Sequence, residues 1–271
     1  MFAKEHIKLF YWSSVIFEKR AEENYGDLLS KYIVEKLSGK EVRYYNAPKS
    51  RKKWFKSEFL MAIGSIMSYA TDKAKVWGSG IISKQDQFGP ATFYAVRGPK
   101  SRERVLELGY ACPEVYGDPA LLLPSFYKPE RIITHDLGII PHYVDYPTVK
   151  AAYAAYPEIK VIDLLGSDVE GITNEILSCG RTISSSLHGL IVSHAYGVPS
   201  VWVKYSDKLT GDNVKFEDYL LSVGLEPYQA ILVDDFSKEL LEAQFEGKAG
   251  KPENNTIAAI QKGLVASFPY R

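Results

Sequence analysis

Residues 181–203, RTISSSLHGLIVSHAYGVPSVWV, constrain the fold of this chain more than any other stretch. They read as a short strand (181–183), a serine run, a helix ending at Gly197, and a second strand (200–203) opened by Pro199. Two strands separated by a single helix run parallel, as in an α/β protein. Ser184, Ser185 and Ser186 offer hydroxyl caps for the unpaired N–H groups at the helix start. Those groups and the helix dipole make such a start an anion site. His188 falls in the first turn, where the positive end of the dipole favours the neutral, proton-accepting imidazole. Spacing alone leaves His188 open between a functional role and a satisfied structural one.

The same alternation runs through the whole chain. The first half reads as strands at 6–12, 42–45, 59–63, 75–77 and 92–96. A helix with Leu28, Leu29, Tyr32, Ile33 and Leu37 on one face closes at Gly39, and another over 100–108 closes at Gly109. Pro124 and Pro129 flank a linker. The second half adds strands at 131–134, 160–164 and 230–233, helices at 169–178, 215–223 and 237–243, and a last helix capped by Asn255. Short turns between strands and helices imply parallel sheets, one in each half. At 271 residues two domains are expected, 1–125 and 126–271, the last helix being free to pack back on the first. Ligands in such sheets bind beyond the carboxyl ends of strands, so the turns WGSGII, VRGPKS, GIIPHYVD and TISSSLHG are where chemistry is sought.

Composition narrows the function classes. Lys plus Arg and Asp plus Glu both total 33, which leaves no overall basic footprint and argues against nucleic acid as a partner. Two local basic runs, 49–56 and 97–104, could meet a lipid head group or a phosphate. Cys112 and Cys179 form no CxxC pattern, which suits a reducing compartment. Charges interrupt the apolar residues of the N-terminus, and no later apolar run is long enough to cross a bilayer. The expectation is a cytoplasmic protein without a transmembrane segment, with room for peripheral contact at the inner face of a membrane. Aromatic residues make up 13%, suited to sugar faces as well as to a core.

Individual residues carry weaker signals. Arg97 ends a strand before Gly98 and could meet an anion at the following helix start, although a salt bridge accounts for it equally well. WGSGII lacks both a full GxGxxG and the Walker lysine, so it is no nucleotide fingerprint. His135, Asp136, His142 and Asp145 match no metal signature, so no metal is expected. His142 reads as a hydrogen-bonding residue in a cleft. His194 lies on a different helical face from His188 and reads as structural. Lys204, Lys208 and Lys215 follow the next strand, within reach of an anion or in solvent. SSSLHG lacks the GxSxG elbow of a serine hydrolase.

Five segments in order, NYGD, YAVRGPKS, YGDPALLLP, GIIPHYVD and SSSLHGLIVSHAYGVPSVWV, resemble the polysaccharide pyruvyltransferase family. SxLHG followed by KFEDY is most similar to the branch that adds ketal pyruvate to exopolysaccharide repeat units. The resemblance spans residues 24 to about 221. It implies two Rossmann-like domains facing a cleft, the GT-B arrangement. It also implies transfer of pyruvate from phosphoenolpyruvate onto two hydroxyls of one sugar, with release of phosphate and no cofactor beyond that donor. By the same resemblance His188 is a general acid/base, and Arg97 binds the donor's carboxylate or phosphate. Ser185, Ser186 and Leu187 form the donor's helix start, with Lys208, or else Lys204, as the lysine beyond the next strand. Many members carry arginine where this chain has Ser186, which leaves Arg97, Lys208 and the helix start to balance the anionic donor. Asn24, Asp27 and His142 fall on the acceptor side or along the cleft. The implied partners are phosphoenolpyruvate and a saccharide acceptor, which a lipid carrier could hold. Two rivals stay open: a GT-B nucleotide-sugar glycosyltransferase, and a non-catalytic sugar- or anion-binding protein of the same fold.

Overall fold

The computed structural model describes residues 6–47, 57–233, 237–248 and 250–270, so the basic run 49–56 lies outside the described residues. Strands β1 (His6–Phe10), β2 (Glu41–Tyr44), β3 (Phe59–Met61), β4 (Ala74–Trp77) and β5 (Thr92–Ala95) form one sheet. All are parallel, in the order β2-β1-β3-β4-β5. Strands β6 (His135–Ile140), β7 (Ile159–Val161), β8 (Cys179–Ser184) and β9 (Ser200–Trp202) form a second parallel sheet, in the order β7-β6-β8-β9. The chain is therefore α/β with two parallel sheets. In each sheet the first strand lies between the second and the third. Successive crossovers thus leave in opposite directions, and a crevice opens beyond the carboxyl ends of β1 and β3, and likewise of β6 and β8.

The connecting helices are α1 (Ser14–Glu18), α2 (Tyr25–Ser38), α3 (Pro99–Glu107), α4 (Tyr146–Ala152), α5 (Val169–Leu177), α6 (Leu187–Ala195), α7 (Val214–Ser222), α8 (Lys238–Ala243) and α9 (Asn254–Ser267). Helix α2 shows how the local sequence defines one. The Asn24 side chain accepts from Gly26 N–H at its start, and Gly39 ends it in the left-handed region with φ 64°. Leu29, Ile33 and Val34 are buried along one side, against a 3₁₀ segment (Pro119–Ser125). That segment carries Leu121, Leu122 and Leu123 into a cluster with Leu190 and Ile191 of α6. One apolar cluster thus reaches from Leu9 in the first sheet to Ile140 in the second, and the two halves share it. No helix among the described residues is long and apolar enough to cross a membrane.

Three element boundaries differ from the sequence expectation. The strand expected at 131–134 begins instead at His135, and Ile132 and Ile133 remain 64% and 55% exposed. Arg131 donates to the carbonyls of Leu177, Cys179 and Gly180, bracing a loop rather than pairing as a strand. Burial on both faces favours Leu137–Ile140, which carries the apolar run. At 230–233 there is only a one-residue parallel bridge, Lys204 to Leu232. Asn255 is not the cap of the last helix: Glu253 holds that position, and Asn255 Oδ1 accepts from Thr256 N–H within the first turn.

Helix α9 packs on the first half. The indole Nε1 of the fully buried Trp77 donates to the Leu264 carbonyl at 3.0 Å, and its ring meets Phe268 at 4.7 Å. A side chain at Gly117 would meet Ile260 at 2.4 Å, so the helix lies almost on the backbone there. His194 is structural, as its helical face suggested. Its Nδ1 lies 3.0 Å from the Tyr219 hydroxyl, and its Nε2 lies 3.1 Å from the carbonyls of Ser200 and Gly250. Nε2 is thus the donor and Nδ1 the acceptor of the tyrosine proton.

Two outcomes follow from this packing. Trp77→Ala is expected to cost about 3–5 kcal/mol, from the cavity and the lost hydrogen bond, read as a lowered denaturant midpoint. An unchanged midpoint would show that α9 is not anchored there. Burial also lowers the His194 pKa from 6.5 to about 4, against the pull of the two carbonyls. Between those values the unfolded chain binds more protons than the folded one. The contribution is complete above pH 6.5 and is lost as pH falls toward about 4, so urea titrations of His194→Gln should show a flatter pH dependence there.

Candidate active site

The loops at the carboxyl ends of both sheets converge on one cavity of about 430 Å³. From the first sheet, the segment after β1 supplies Trp12, Glu18, Asn24 and Asp27, and the loop after β3 supplies Gly64, Ser65 and Ile66. From the second, the loop after β6 supplies His142 and Tyr143, and the β8–α6 joint supplies Ser186, Leu187 and His188. Lys208 and Lys215 close it from beyond β9. Asn24, Asp27, His142, Ser186, Leu187, His188 and Lys208, far apart in the chain, therefore share one wall system.

The β8–α6 joint is held by its own serines. Ser184 Oγ contacts the carbonyls of Ile140 and Ser186 and accepts from Ser186 N–H. Ser185 lies behind the lining: its Oγ accepts from His142 N–H at 2.9 Å, coupling the two loops of the second sheet. Ser186 is the N-cap of α6, and its side chain makes no cap bond, so the helix start opens toward the cavity. His188 stands in the first turn with its side chain 12% exposed. The ring occupies the space a side chain at Gly26 would need, with Nδ1 only 1.9 Å from an added Cβ. Its Nε2 lies 3.8 Å from Asp118 Oδ2. Both atoms are buried and neither has a hydrogen-bond partner.

Titratable neighbours are shifted in opposite directions. Burial, reinforced by the charge of Lys215, depresses His142 to about 3, so its imidazole is neutral and serves in hydrogen bonding. Burial, followed by the charge of Arg97, lowers Lys215 to about 8, while Asp27 opposes the shift. Asp27 lies well above the usual carboxylate range because of burial, then Glu23 and Glu18. Burial raises Glu18 too, yet donors from Trp12, Arg20 and Tyr143 outweigh it and leave the carboxylate below its ordinary value. Those donors lie at 2.9 Å, and the Arg20 guanidinium stacks 4.3 Å above the Tyr143 ring. This network joins the β1–α1 loop to the loop after β6 at the cavity wall.

Arg97 is placed elsewhere. Its side chain is fully buried, and Nε donates to Asp218 Oδ2 at 3.0 Å, Nη1 to Ser65 Oγ at 2.6 Å and Nη2 to the Ile81 carbonyl at 2.7 Å. It braces the Ser65 wall from behind and does not itself line the cavity. The reason is long-range pairing: Asp218, more than a hundred residues away, takes its charge. Lys204 pairs with Asp207, whereas Lys208 is exposed at the cavity and Lys215 is half-buried in it. Glu18 and Trp12 carry no local motif, whereas Tyr143 and Lys215 lie in GIIPHYVD and KFEDY, and only the closing of the two sheets brings the four to one cavity. Among the described residues no group of three or more His, Cys, Asp or Glu side chains is poised for a metal ion.

The family model for polysaccharide pyruvyl transferase matches residues 24–207, a span that reaches from Asn24 through the α6 helix start. An uncharacterized protein of Acanthamoeba polyphaga mimivirus is 33% identical over 216 residues, covering 75% of this chain and 72% of that protein. No solved structure matches the chain.

A buried arginine held this way is expected to behave as structure. Arg97→Ala should destabilise the fold by about 3–5 kcal/mol, because Asp218 would be left buried and unpaired. The double variant Arg97→Met with Asp218→Asn, which removes the stranded charge while its amide oxygen still accepts from the N–H groups of Lys100 and Ser101, should recover part of that loss in chemical denaturation. Wild-type stability in Arg97→Ala, with only ligand affinity reduced, would contradict this placement.

Proposed function

The chain belongs to the polysaccharide pyruvyl transferase family, and on that premise we propose that it transfers pyruvate from phosphoenolpyruvate onto two hydroxyls of a sugar, forming a cyclic ketal. The supporting observation is the open start of α6, which meets His188, Lys208 and Lys215 in one cavity between two crevices of parallel sheets. An anion with both carboxylate and phosphate finds there backbone N–H groups, a helix dipole and two ammonium groups. The arrangement of two such sheets around a cleft also supports reading the fold as two Rossmann-like domains of GT-B type.

The chemistry suits these groups. Protonating the methylene carbon of phosphoenolpyruvate makes C2 electrophilic, and a sugar hydroxyl attacks it, losing its proton. The C2–O bond to phosphate then breaks as the second hydroxyl attacks C2 and gives up its own proton. One hydroxyl proton balances the new methyl group and the other leaves on phosphate. His188 offers an imidazole at the helix start, a side chain suited to carry such protons between the reactants. Asp27, with its carboxyl pushed above the usual carboxylate range, is suited to donate a hydrogen bond on the acceptor side, beside Asn24 and the neutral His142. The Glu18, Trp12 and Tyr143 wall gives a sugar both an apolar face and acceptors. Lysines at 208 and 215 take the charge-balancing role that the resemblance assigned to Arg97.

Phosphate release from phosphoenolpyruvate in the presence of a candidate glycan is the direct test. His188→Ala is expected to lower that rate by at least about 10²-fold with the fold retained, and undiminished turnover would remove the catalytic assignment. A thermal shift with phosphoenolpyruvate but not with nucleotide sugars is also expected. A response to nucleotide sugars alone would favour glycosyl transfer. Lys215 is a cation below about pH 8 and loses its charge above it, so donor affinity should weaken on the alkaline side of about pH 8. Lys215→Met should weaken binding at pH 7 and remove that limb.

A further inference from the structure

We infer that Asp118 is the positioning residue for His188: it holds Nε2 in the protonated form, so that Nδ1 is the nitrogen that exchanges protons with the reactants. The inference deepens the proposed transfer reaction and rests on that reading only for its kinetic consequence. The geometry stands by itself.

Asp118 is fully buried where the chain enters the 3₁₀ segment Pro119–Ser125. Its two carboxylate oxygens have different surroundings. Oδ1 accepts from Ala120 N–H at 2.9 Å and caps the segment. Oδ2 is buried with no hydrogen-bond partner, and the imidazole Nε2 of His188, in the same condition, lies 3.8 Å away. Two polar atoms withheld from water and from every other partner are costly unless they serve each other. The 3₁₀ segment packs directly on α6, so the approach is fixed by the core rather than by a mobile loop.

Charge decides the tautomer. A lone pair on Nε2 would point at a carboxylate oxygen inside a low-dielectric pocket, which is repulsive. A hydrogen on Nε2 would be attracted to it. The neutral ring therefore carries its hydrogen on Nε2 and its lone pair on Nδ1. Nε2 contributes nothing to the 12% exposure of the side chain, so Nδ1 is the nitrogen left for a ligand. It borders Gly26, where any side chain would displace the ring. At 3.8 Å the pair is longer than a hydrogen bond and has room to close when positive charge forms on the ring.

In the ketal-closing step, the C2–O bond to phosphate breaks as the second sugar oxygen bonds to C2 and that hydroxyl passes its proton to Nδ1. The resulting imidazolium is stabilised through Nε2–H by the Asp118 carboxylate, which itself takes no proton. Nδ1 then gives the same proton to the released phosphate, which returns the ring to its neutral form. Asp118 touches neither reactant and acts through the ring alone.

Asp118→Asn is the informative change. Its amide oxygen can keep the bond from Ala120 N–H, while its NH₂ faces Nε2 and favours the opposite tautomer. Ring ¹⁵N spectra of the labelled protein, with His188 assigned by difference against His188→Gln, are expected to show Nε2–H in the wild type and Nδ1–H in Asp118→Asn. The kcat for phosphate release should fall by about 10²-fold or more, with KM for phosphoenolpyruvate little changed, and Asp118→Glu should recover part of it. An Nδ1–H ring in the wild type would overturn the inference, as would wild-type kcat in a folded Asp118→Asn. Should Asp118→Asn fail to fold, the wild-type tautomer alone decides. Should no variant release phosphate, the donor reading fails while the spectra still judge the role of Asp118.

Discussion

The buried ion pair between Arg97 and Asp218 is the constraint on which the cavity depends. Asp218 belongs to α7, in the second half of the chain, yet it caps α3 in the first. Its Oδ1 accepts from the N–H groups of Lys100 and Ser101, and its Oδ2 from the Ser101 hydroxyl. A buried pair adds little net stability, because desolvation cancels much of the attraction, but breaking it strands a charge. Such a pair therefore works as a register pin. It fixes α7 against α3 so closely that a Cβ on Gly98 would come within 2.1 Å of the Asp218 carbonyl. Lys215, three residues before Asp218 on the same helix, is thereby delivered to the cavity. Arg97 thus acts on the cavity at one remove, by holding the helix that carries Lys215 to its wall.

The cavity concentrates groups whose protonation is biased by burial before any ligand arrives. His142 is kept neutral, Lys215 is a weakened cation, and Asp27 resists ionisation. Glu18 alone is drawn toward the charged form, by three donors that also lock the cavity wall. A pocket that undercompensates its own charges is suited to a ligand bringing both charge and hydrogen-bonding hydroxyls. The helix start of α6 adds fixed dipoles that need no reorganisation when an anion enters.

Much of this was legible along the chain. The α2 helix, its Asn24 start and its Gly39 end are written locally, because capping and left-handed backbone depend on neighbouring residues only. The 181–203 unit was equally plain, since one strand, one helix and the next strand follow without interruption. The strand expected at 131–134 failed for a non-local reason. Two isoleucines beside a threonine look like a strand, but the sheet pairs His135 with Cys179 and leaves Ile132 and Ile133 outside. Asn255 likewise looks like a cap, and the packing of α9 starts the helix two residues earlier than that reading implies.

Sequence by itself determined the α/β class, the family, and the helix start that carries Ser186 and His188, because these rest on periodicity, capping and motif order within short windows. Only the tertiary structure decided which charges face the cavity. Arg97 turned inward to Asp218, Lys215 was carried to the site by the same pair, and Asp118 came within reach of His188 although 70 positions separate them. A charge seeks its partner through space, and desolvation on folding selects which partner it keeps. That choice is made when the two sheets close on a shared core, and no local pattern encodes it.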